Sequence, residues 1–199
     1  MKIALLQKHP VVKDIVGIVL FIVAVFIGTA IINAFIFRTF SVDGPSMEET
    51  LHTGDRLIVN RLPNTWASII RKDYVPERGQ VIVFKNPKFG THSDNKYIVK
   101  RVIAFPGERV TVHDGKVTVY NETSPTGFNP DIDYARDAKD FTSGEVDVTV
   151  ADKSLFVMGD NREGNYSCDS RNCLGQIPLE DIVGPVELRI YPFTKLRSF

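Results

Sequence analysis

Two residues of this chain, Ser46 and Lys100, carry side chains that could together drive hydrolysis. Ser46 lies in the segment Asp-Gly-Pro-Ser-Met at residues 43–47, and Lys100 lies within an apolar run at residues 97–105. A serine hydroxyl is a weak nucleophile until a base removes its proton. A lysine can be that base only where its surroundings keep the amine neutral. The two residue types therefore predict a serine–lysine hydrolase.

Ser46 also fits a purely structural role. Ser-Met-Glu-Glu at residues 46–49 matches a capping box, in which the serine accepts a hydrogen bond from the Glu49 amide and Glu49 reaches back. The two roles compete, because a capping hydroxyl is poorly placed for attack. Gly44 and Pro45 favour catalysis, because they let the backbone come close and stiffen the turn. Backbone N–H groups in such a turn could stabilise an oxyanion.

Lys100 is accompanied by a second cation. If residues 97–105 form a strand, Lys100 and Arg101 lie on opposite faces, each among apolar residues. Arg101 keeps its proton at any useful pH and can only pair or stack. Desolvation, by contrast, lowers the pKa of a lysine. The alternative for Lys100 is a packed stem with the amine in water, which is the usual arrangement of a strand lysine.

A polar cluster lies later in the chain. Met-Gly-Asp-Asn-Arg at residues 158–162 predicts a tight turn at Asp160, and Ser167, Asp169 and Arg171 follow it. Asp169 and Arg171 could form an ion pair if the backbone between them is extended. A polar surface loop is one explanation of the cluster. A buried, hydrogen-bonded network directly after an apolar strand is the other.

These groups need elements to position them, and the first of these is a predicted membrane helix. Residues 15–37 hold no charge, and these 23 residues would make a helix of about 34 Å, enough to span a bilayer. Lysines at positions 2, 8 and 13 precede the run. The positive-inside rule then predicts a cytoplasmic segment at 1–14 and an extracytoplasmic catalytic domain at 38–199. A secretory signal cleaved after Ala30 is the alternative, but the apolar run continues past that point.

The remaining sequence predicts a mainly β domain, a twisted antiparallel barrel or sandwich. Short runs rich in Val, Ile, Phe and Tyr alternate with turn residues; they lie at 56–60, 80–84, 97–105, 110–113, 117–120, 145–150, 155–158 and 186–191. Asp114 and Gly115 predict a hairpin turn. The acidic segment 121–152 contains several prolines and glycines, and it is interpreted as a variable, solvated insertion rather than a second domain.

The composition of the chain mainly argues against certain partners and cofactors. The formal net charge is zero, which gives no reason to expect a nucleic-acid partner. The four histidines are scattered without zinc-like spacing, so we expect neither a metal nor a cofactor.

Cys168 and Cys173 could form a small disulfide loop or remain free thiols. Trp66, Ile69 and Ile70 lie beside two cations and could reach a lipid interface or form a core turn.

Taken in order, these blocks resemble the bacterial type I signal peptidases, in the small single-anchor form typical of Gram-positive bacteria. The resemblance covers nearly the whole chain except the acidic insertion. It rests on the membrane anchor, Gly-Pro-Ser-Met at Ser46, Lys100-Arg101 ahead of Pro106-Gly107-Glu108, Gly159-Asp160-Asn161-Arg162, and Ser167 with Asp169-Ser170-Arg171 and Gly175.

The resemblance implies a serine endopeptidase of the plasma membrane that removes signal peptides from preproteins delivered by the general secretion pathway. Ser46 would be the nucleophile and Lys100 the general base. Ser167 would hydrogen-bond and orient the lysine. The other supporting residues would be the ion pair of Asp169 and Arg171, together with Asp160 and Arg101. Val42 and Met47 are candidates for the substrate pocket because they lie close to the serine.

The chain departs from the family pattern at three places. Gly44 stands where some members have a serine whose hydroxyl completes the oxyanion hole, Glu49 stands where proline is usual, and two extra residues separate Arg162 from Ser167. Two other functions stay open at this point. One is a self-cleaving serine–lysine regulator of related β fold, although no DNA-binding helix pair precedes the domain. The other is a non-catalytic, membrane-tethered β module.

Overall fold

An apolar helix leads into a β domain. The computed structural model describes residues 10–48, 50–90, 95–131 and 141–199, so Glu49 of the expected capping box lies outside the described residues. Helix α1, Pro10–Ile31, continues as a π-helical turn over Ile32–Ile36. Within the span Val11–Ile36, the most apolar 18-residue window has a mean hydropathy of 3.1, and none of this window is buried. Its 26 residues extend about 39 Å, so the helix is long and apolar enough to cross a membrane.

The boundaries of this helix differ from the predicted 15–37. The helix begins at Pro10, which suits a first turn because proline lacks the N–H that would be unpaired there. It ends at Ile36, and Phe37 already has an extended backbone with φ −133° and ψ 145°. The change to a strand is invisible to hydropathy because Phe37 is as apolar as the residues before it.

The described residues form twelve strands in two antiparallel sheets. The main sheet has the order β1-β2-β11-β3-β4-β9-β10, with β12 also paired to β11, and a smaller sheet has the order β7-β6-β5-β8. The strands are β1 Phe37–Ser41, β2 Arg56–Asn60, β3 Val81–Lys85, β4 Tyr97–Ala104, β5 Arg109–His113, β6 Lys116–Asn121, β7 Ser124–Phe128, β8 Val146–Thr149, β9 Ser154–Met158, β10 Ile177–Pro178, β11 Ile182–Tyr191 and β12 Arg197–Ser198. The mainly β, antiparallel prediction is confirmed.

All eight predicted runs are strands, and four strands were missed for identifiable reasons. β1 is hidden by the end of the apolar run, and β7 contains Pro125 and Gly127. β10 and β12 are only two residues long. A short helix, α2 (Leu62–Ile69), was also missed.

The smaller sheet forms a lobe with its own core. Its strands begin at Arg109, so the segment 121–152 supplies only β7 and β8 of the four. The turn between β5 and β6 has φ 49° at Asp114 and φ 76° at Gly115, the left-handed conformations of the predicted hairpin turn. Valines on β5 and β6 fill the lobe core and pack against Phe156 and Met158 of β9.

Helix α2 is fastened to the end of the apolar helix. The Arg61 N–H donates to Ile36 O at 2.7 Å and Thr65 Oγ1 donates to Phe35 O at 2.8 Å, so carbonyls left open at a helix C-terminus are paired. Trp66 is 65% exposed and Ile69 is 67% exposed. These exposures exclude the core turn that was one of the two alternatives for this segment.

Candidate active site

Ser46 is held in a turn that follows β1. Two backbone hydrogen bonds of 2.9 Å, from Val42 N to Asp55 O and from Gly54 N to Val42 O, tie the end of β1 to the segment before β2. Gly44 has φ +92°, in the region that favours glycine, and its N–H donates to Thr53 Oγ1 at 3.0 Å. The turn is thus anchored on the side that precedes the serine.

Lys100 reaches the serine from the middle of β4. It pairs with Ile82 of β3 across the main sheet and is 2% exposed. Its Nζ donates to Ser46 Oγ at 2.7 Å and to Val99 O at 3.0 Å. The alternative in which the amine lies in water is therefore excluded, and the two residues first identified by their chemistry are in direct contact.

Burial sets the protonation of this amine. It lowers the pKa of Lys100 from 10.5 to about 8, and the nearby Arg171 guanidinium acts in the same direction. The carboxylates of Asp169 and Asp160 oppose the shift. An amine with such a pKa is neutral in a useful fraction of molecules near neutral pH, as a general base must be.

Arg101 points away from Lys100 and forms a buried ion pair. Its guanidinium donates through Nε to Asp160 Oδ1 at 2.7 Å and through Nη2 to Asp160 Oδ2, and Nη1 donates to Gly79 O at 2.7 Å. Because Arg101 lies opposite Met158 in the pairing of β4 with β9, this ion pair fixes the turn at Asp160 to the strand that carries the lysine.

The turn after β9 supports the serine from behind. Asn161 N donates to Ser46 O at 3.1 Å, and Asn161 Nδ2 donates to Pro45 O at 3.2 Å. A side-chain carbon at Gly159 would collide with both Ser46 O and Ser167 Oγ. Glycine is therefore the residue that lets the Ser46 turn and the Ser167 loop approach the same point. Gly159 and Asn161 belong to the Gly-Asp-Asn-Arg motif, but the sequence alone predicted no role at the active site for either residue.

Ser167 lies beside this point, but its hydroxyl is not hydrogen-bonded to the Lys100 amine, as had been expected. Its hydroxyl donates to Asp169 Oδ2 at 2.7 Å, and among the described residues Lys100 hydrogen-bonds only to Ser46 and Val99. Gly159 N also donates to Asp169 Oδ2, at 3.0 Å. Ser167 therefore connects to the dyad through packing at Gly159 and through Asp169, whose carboxylate acts on the pKa of Lys100.

Asp169 and Arg171 form the expected ion pair. Arg171 donates to the carboxylate of Asp169 through Nη2 at 2.8 Å and through Nε at 3.0 Å. These bonds, with those from Ser167 and Gly159, lower the pKa of Asp169 against the effect of burial. Ser167 and Asp169 are fully buried. Of the two explanations of this cluster, the buried network is the one observed.

A cleft of about 500 Å³ opens in front of the dyad. Residues 40–46 after and within β1 line one side, and residues 95–100 before and within β4 line another. Val42 lines the cleft, as expected of a pocket residue. Met47 does not: its side chain is fully buried in the core with Leu51 and Leu57, because the turn directs it inward. No cluster of metal-binding side chains occurs within the described ranges.

Cys168 and Cys173 are joined in a disulfide, so the bonded alternative is the observed one. Both cysteines line the cleft that contains Ser46 and Lys100.

The chain is similar to known signal peptidases over most of its length. The family model described as signal peptidase, peptidase S26, matches residues 13–191. Signal peptidase I of Bacillus amyloliquefaciens is 32% identical over 181 residues, which cover 89% of this chain and 88% of that protein. Signal peptidase I U of Bacillus subtilis strain 168 is 29% identical over 196 residues, covering 97% and 95%. A crystal structure of a signal peptidase I from Enterococcus faecalis V583 is 23% identical, with a TM-score of 0.41, covering 56% of this chain and 96% of that one.

Proposed function

Because the chain belongs to the signal peptidase family, peptidase S26, it is a serine peptidase that cleaves signal peptides, and we propose that Ser46 and Lys100 are its catalytic dyad. The observation that carries this proposal is the 2.7 Å hydrogen bond between Lys100 Nζ and Ser46 Oγ at a buried amine. A lysine in this position has no structural need to be there, since an apolar residue would fill the strand at lower cost.

The dyad performs acyl transfer in two halves. Neutral Lys100 accepts the proton of Ser46 Oγ as the oxygen attacks the scissile carbonyl carbon. The lysine ammonium then gives that proton to the departing amine, leaving the signal peptide as an ester on Ser46. In the second half, Lys100 takes a proton from water, which attacks the ester, and the proton returns to Ser46. Lys100 therefore starts each half of the reaction as the neutral amine, and the proton it has accepted leaves it again before that half ends.

The backbone of the Ser46 turn supplies the oxyanion donor. Within the described part of the chain, the Ser46 N–H donates to no protein acceptor, and Ser46 is only half-buried. A free N–H on the nucleophile is well placed for the oxygen of a tetrahedral intermediate. Gly44, which stands where some relatives carry a serine, has no hydroxyl to add, and its own N–H already donates to Thr53.

The remaining site residues act on the dyad from outside. Arg101 and Asp160 hold the turn behind Ser46, and Asp169 and Arg171 hold Ser167 against Gly159. These are positioning residues, because none of them hydrogen-bonds to Ser46 Oγ or Lys100 Nζ. Their buried ion pairs are expensive to leave half-paired, so each partner also stabilises the other.

The cleft accommodates an extended peptide with small side chains. β1 is an edge strand of the main sheet, and residues that follow it line the cleft. An extended chain can add to such an edge by main-chain hydrogen bonds. Val42, Leu57, Val83 and Val99 present short apolar surfaces there. Small residues at the first and third positions before the cleaved bond fit these shallow surfaces.

The apolar helix anchors the enzyme in the plasma membrane. Lysines at positions 2, 8 and 13 favour a cytoplasmic N-terminus, which places the β domain outside the cytoplasm. Preproteins arriving through the general secretion pathway then present their signal peptides in the same bilayer. The fixed connection between α1 and β1 holds the dyad at a constant height above that surface.

Helix α2 adds a second contact with lipid. Leu62, Trp66 and Ile69 expose one apolar face, and Arg71 and Lys72 follow it. Hydrogen bonds from Arg61 and Thr65 fix this face to the end of the membrane helix, at the depth of the headgroups. Tryptophan next to cations suits that depth.

Liposome flotation of a variant lacking α1 tests this contact. Trp66→Ser with Ile69→Ser should reduce binding to anionic vesicles, whereas Phe141→Ser, which removes an exposed ring on the lobe, should not. Equal binding of all three proteins would contradict the assignment.

The dyad itself is tested by cleavage of a preprotein with an Ala-x-Ala site. Ser46→Ala, Lys100→Met and Lys100→Arg should each lose cleavage while keeping the β spectrum of the fold. Arginine is the sharpest of the three, because it keeps the charge but cannot act as a base. Ser154→Ala and Lys116→Met, outside the cleft, are the matched controls. Retained activity in Lys100→Arg would overturn the mechanism.

A further inference from the structure

The disulfide lies beside the catalytic groups rather than in a remote loop. It joins Cys168 to Cys173 and encloses Asp169, Ser170, Arg171 and Asn172. Both cysteines are exposed, and both line the cleft occupied by Ser46 and Lys100. A soluble thiol therefore has access to a bond whose neighbours are the dyad and its supporting network.

The enclosed residues are those that hold Asp169 against Ser167. Asn172 Oδ1 accepts from Asp169 N at 2.9 Å, and Asn172 Nδ2 donates to Ser167 O at 2.9 Å. Asn172 N and Leu174 N both donate to Asp169 O, at 3.2 and 3.1 Å. With the side-chain bonds from Arg171, most partners of Asp169 lie in the bridged loop or next to it in the chain.

The network connects directly to the nucleophile. Asp169 Oδ2 accepts from Ser167 Oγ and from Gly159 N. Gly159 is packed so closely against Ser167 Oγ and Ser46 O that it has no room for a side chain. A shift of the bridged loop would therefore move Ser167 and the turn that supports Ser46.

We infer that the Cys168–Cys173 disulfide is a positioning element of the active site, and that its reduction by a dithiol lowers the rate of signal peptide cleavage. A thiolate of the dithiol attacks one cysteine sulfur, the S–S bond breaks, and the other cysteine leaves as a thiolate that takes up a proton. The second thiol of the reagent then displaces the first cysteine. The enzyme gains two hydrogens, and the reagent becomes a cyclic disulfide.

The effect is local because the bridge closes a short loop. The cysteines are five positions apart, and a short loop contributes little to the entropy of the unfolded chain. The fold should therefore survive reduction, while the loop gains freedom next to the dyad. Misplacement of catalytic groups by a fraction of an ångström to one ångström costs about tenfold to a hundredfold in rate.

The inference rests on the proposed function, and one experiment separates the two. Full-length enzyme in detergent cleaves a cysteine-free preprotein before and after treatment with dithiothreitol. We expect kcat to fall about tenfold or more on reduction and to recover on reoxidation. The chain has only two cysteines, so Cys168→Ser with Cys173→Ser should match the reduced enzyme and ignore the reagent.

A pH profile distinguishes positioning from simple stabilisation. Burial is the main cause of the lowered pKa of Lys100, with Asp169, Asp160 and Arg171 as the charged groups that act on it. Water admitted by a loosened loop would raise this pKa, and the acid limb of kcat would move to higher pH. A stabilising bridge without a positioning role would leave that limb unchanged in the molecules that remain folded.

Four results would overturn the inference. These are equal rates in the oxidised and reduced enzyme, free thiols in the untreated protein, a dithiothreitol effect that persists in the double variant, and loss of the thermal unfolding transition on reduction. If neither form cleaves the preprotein, the proposed function fails instead.

Discussion

The protonation of Lys100 makes the pH dependence of cleavage a quantitative test. Burial disfavours the charged amine, so the folded enzyme has a lysine pKa of about 8 in place of 10.5. The active form is the neutral one, which accumulates as pH rises. With this pKa, about one-tenth of the molecules carry a neutral Lys100 at pH 7 and about nine-tenths do at pH 9.

The shape of the profile is more diagnostic than its direction. A base with a pKa of about 8 gives a rise of roughly tenfold between pH 7 and pH 9, most of it below pH 8.5, followed by a plateau. A solvated lysine at 10.5 would give a rise of about tenfold per pH unit across the whole interval, without a plateau. The assay is kcat for a preprotein substrate between pH 6 and pH 10, in buffers of constant ionic strength.

A variant fixes the assignment to Lys100. The Asp169 carboxylate raises the pKa of this lysine, so Asp169→Asn should move the acid limb of kcat to lower pH, even if the plateau falls because Ser167 loses its partner. Lys116→Met, on the lobe, is the control and should leave the limb in place. A profile that is flat from pH 6 to pH 9, or one that still rises about tenfold between pH 8 and pH 9, would refute a buried lysine base.

Three further substitutions test the packing around the dyad. Lys100→Met should abolish cleavage yet raise the unfolding free energy at pH 7 by about 2–3 kcal/mol, because the unfolded chain binds the lysine proton more tightly than the folded one. The difference in unfolding free energy between variant and wild type should shrink between pH 8 and pH 10.5, which equilibrium unfolding in urea at several pH values would measure. Gly159→Ala should destabilise by about 1–3 kcal/mol and suppress kcat, because its methyl group meets Ser46 O; an active, equally stable variant would contradict the close packing. Asp160→Asn should cost about 3–5 kcal/mol in unfolding free energy, because it removes the carboxylate from a buried ion pair with Arg101, and a change below 1 kcal/mol would contradict a strong contribution of this pair.

The sequence predicted the strands and the two central residues, but it could not predict how the loops meet. β4 is recognisable because apolar residues flank Lys100 and Arg101 on both sides. β1 is not, because hydropathy does not register where a helix becomes a strand. Residues 46 and 100 were linked by chemistry and by family resemblance, since no local signal brings together side chains so far apart in the chain.

The same limit applies to the details of the site. Ser167 carries the same hydroxyl whether it faces Lys100 or Asp169, and only the path of the loop selects Asp169. Met47 adjoins the nucleophile in sequence, yet the turn after β1 buries it. The spacing of Cys168 and Cys173 permits both a disulfide and free thiols. Each of these outcomes depends on non-local packing, which periodicity and propensity do not encode.

The charges around Lys100 suggest why its pKa can be set by burial. Arg101 pairs with Asp160, and Arg171 pairs with Asp169. The two carboxylates raise the pKa of Lys100 and Arg171 lowers it, but burial outweighs all three. Without the Arg171 guanidinium, attraction to the carboxylates would hold the proton more firmly on the amine and reduce the neutral fraction near pH 7. The ion pairs therefore do more than position the two loops. Arg171 offsets part of the attraction from the carboxylates, and burial remains the dominant influence on Lys100, so the same closure that excludes water from the strand keeps the base available to Ser46.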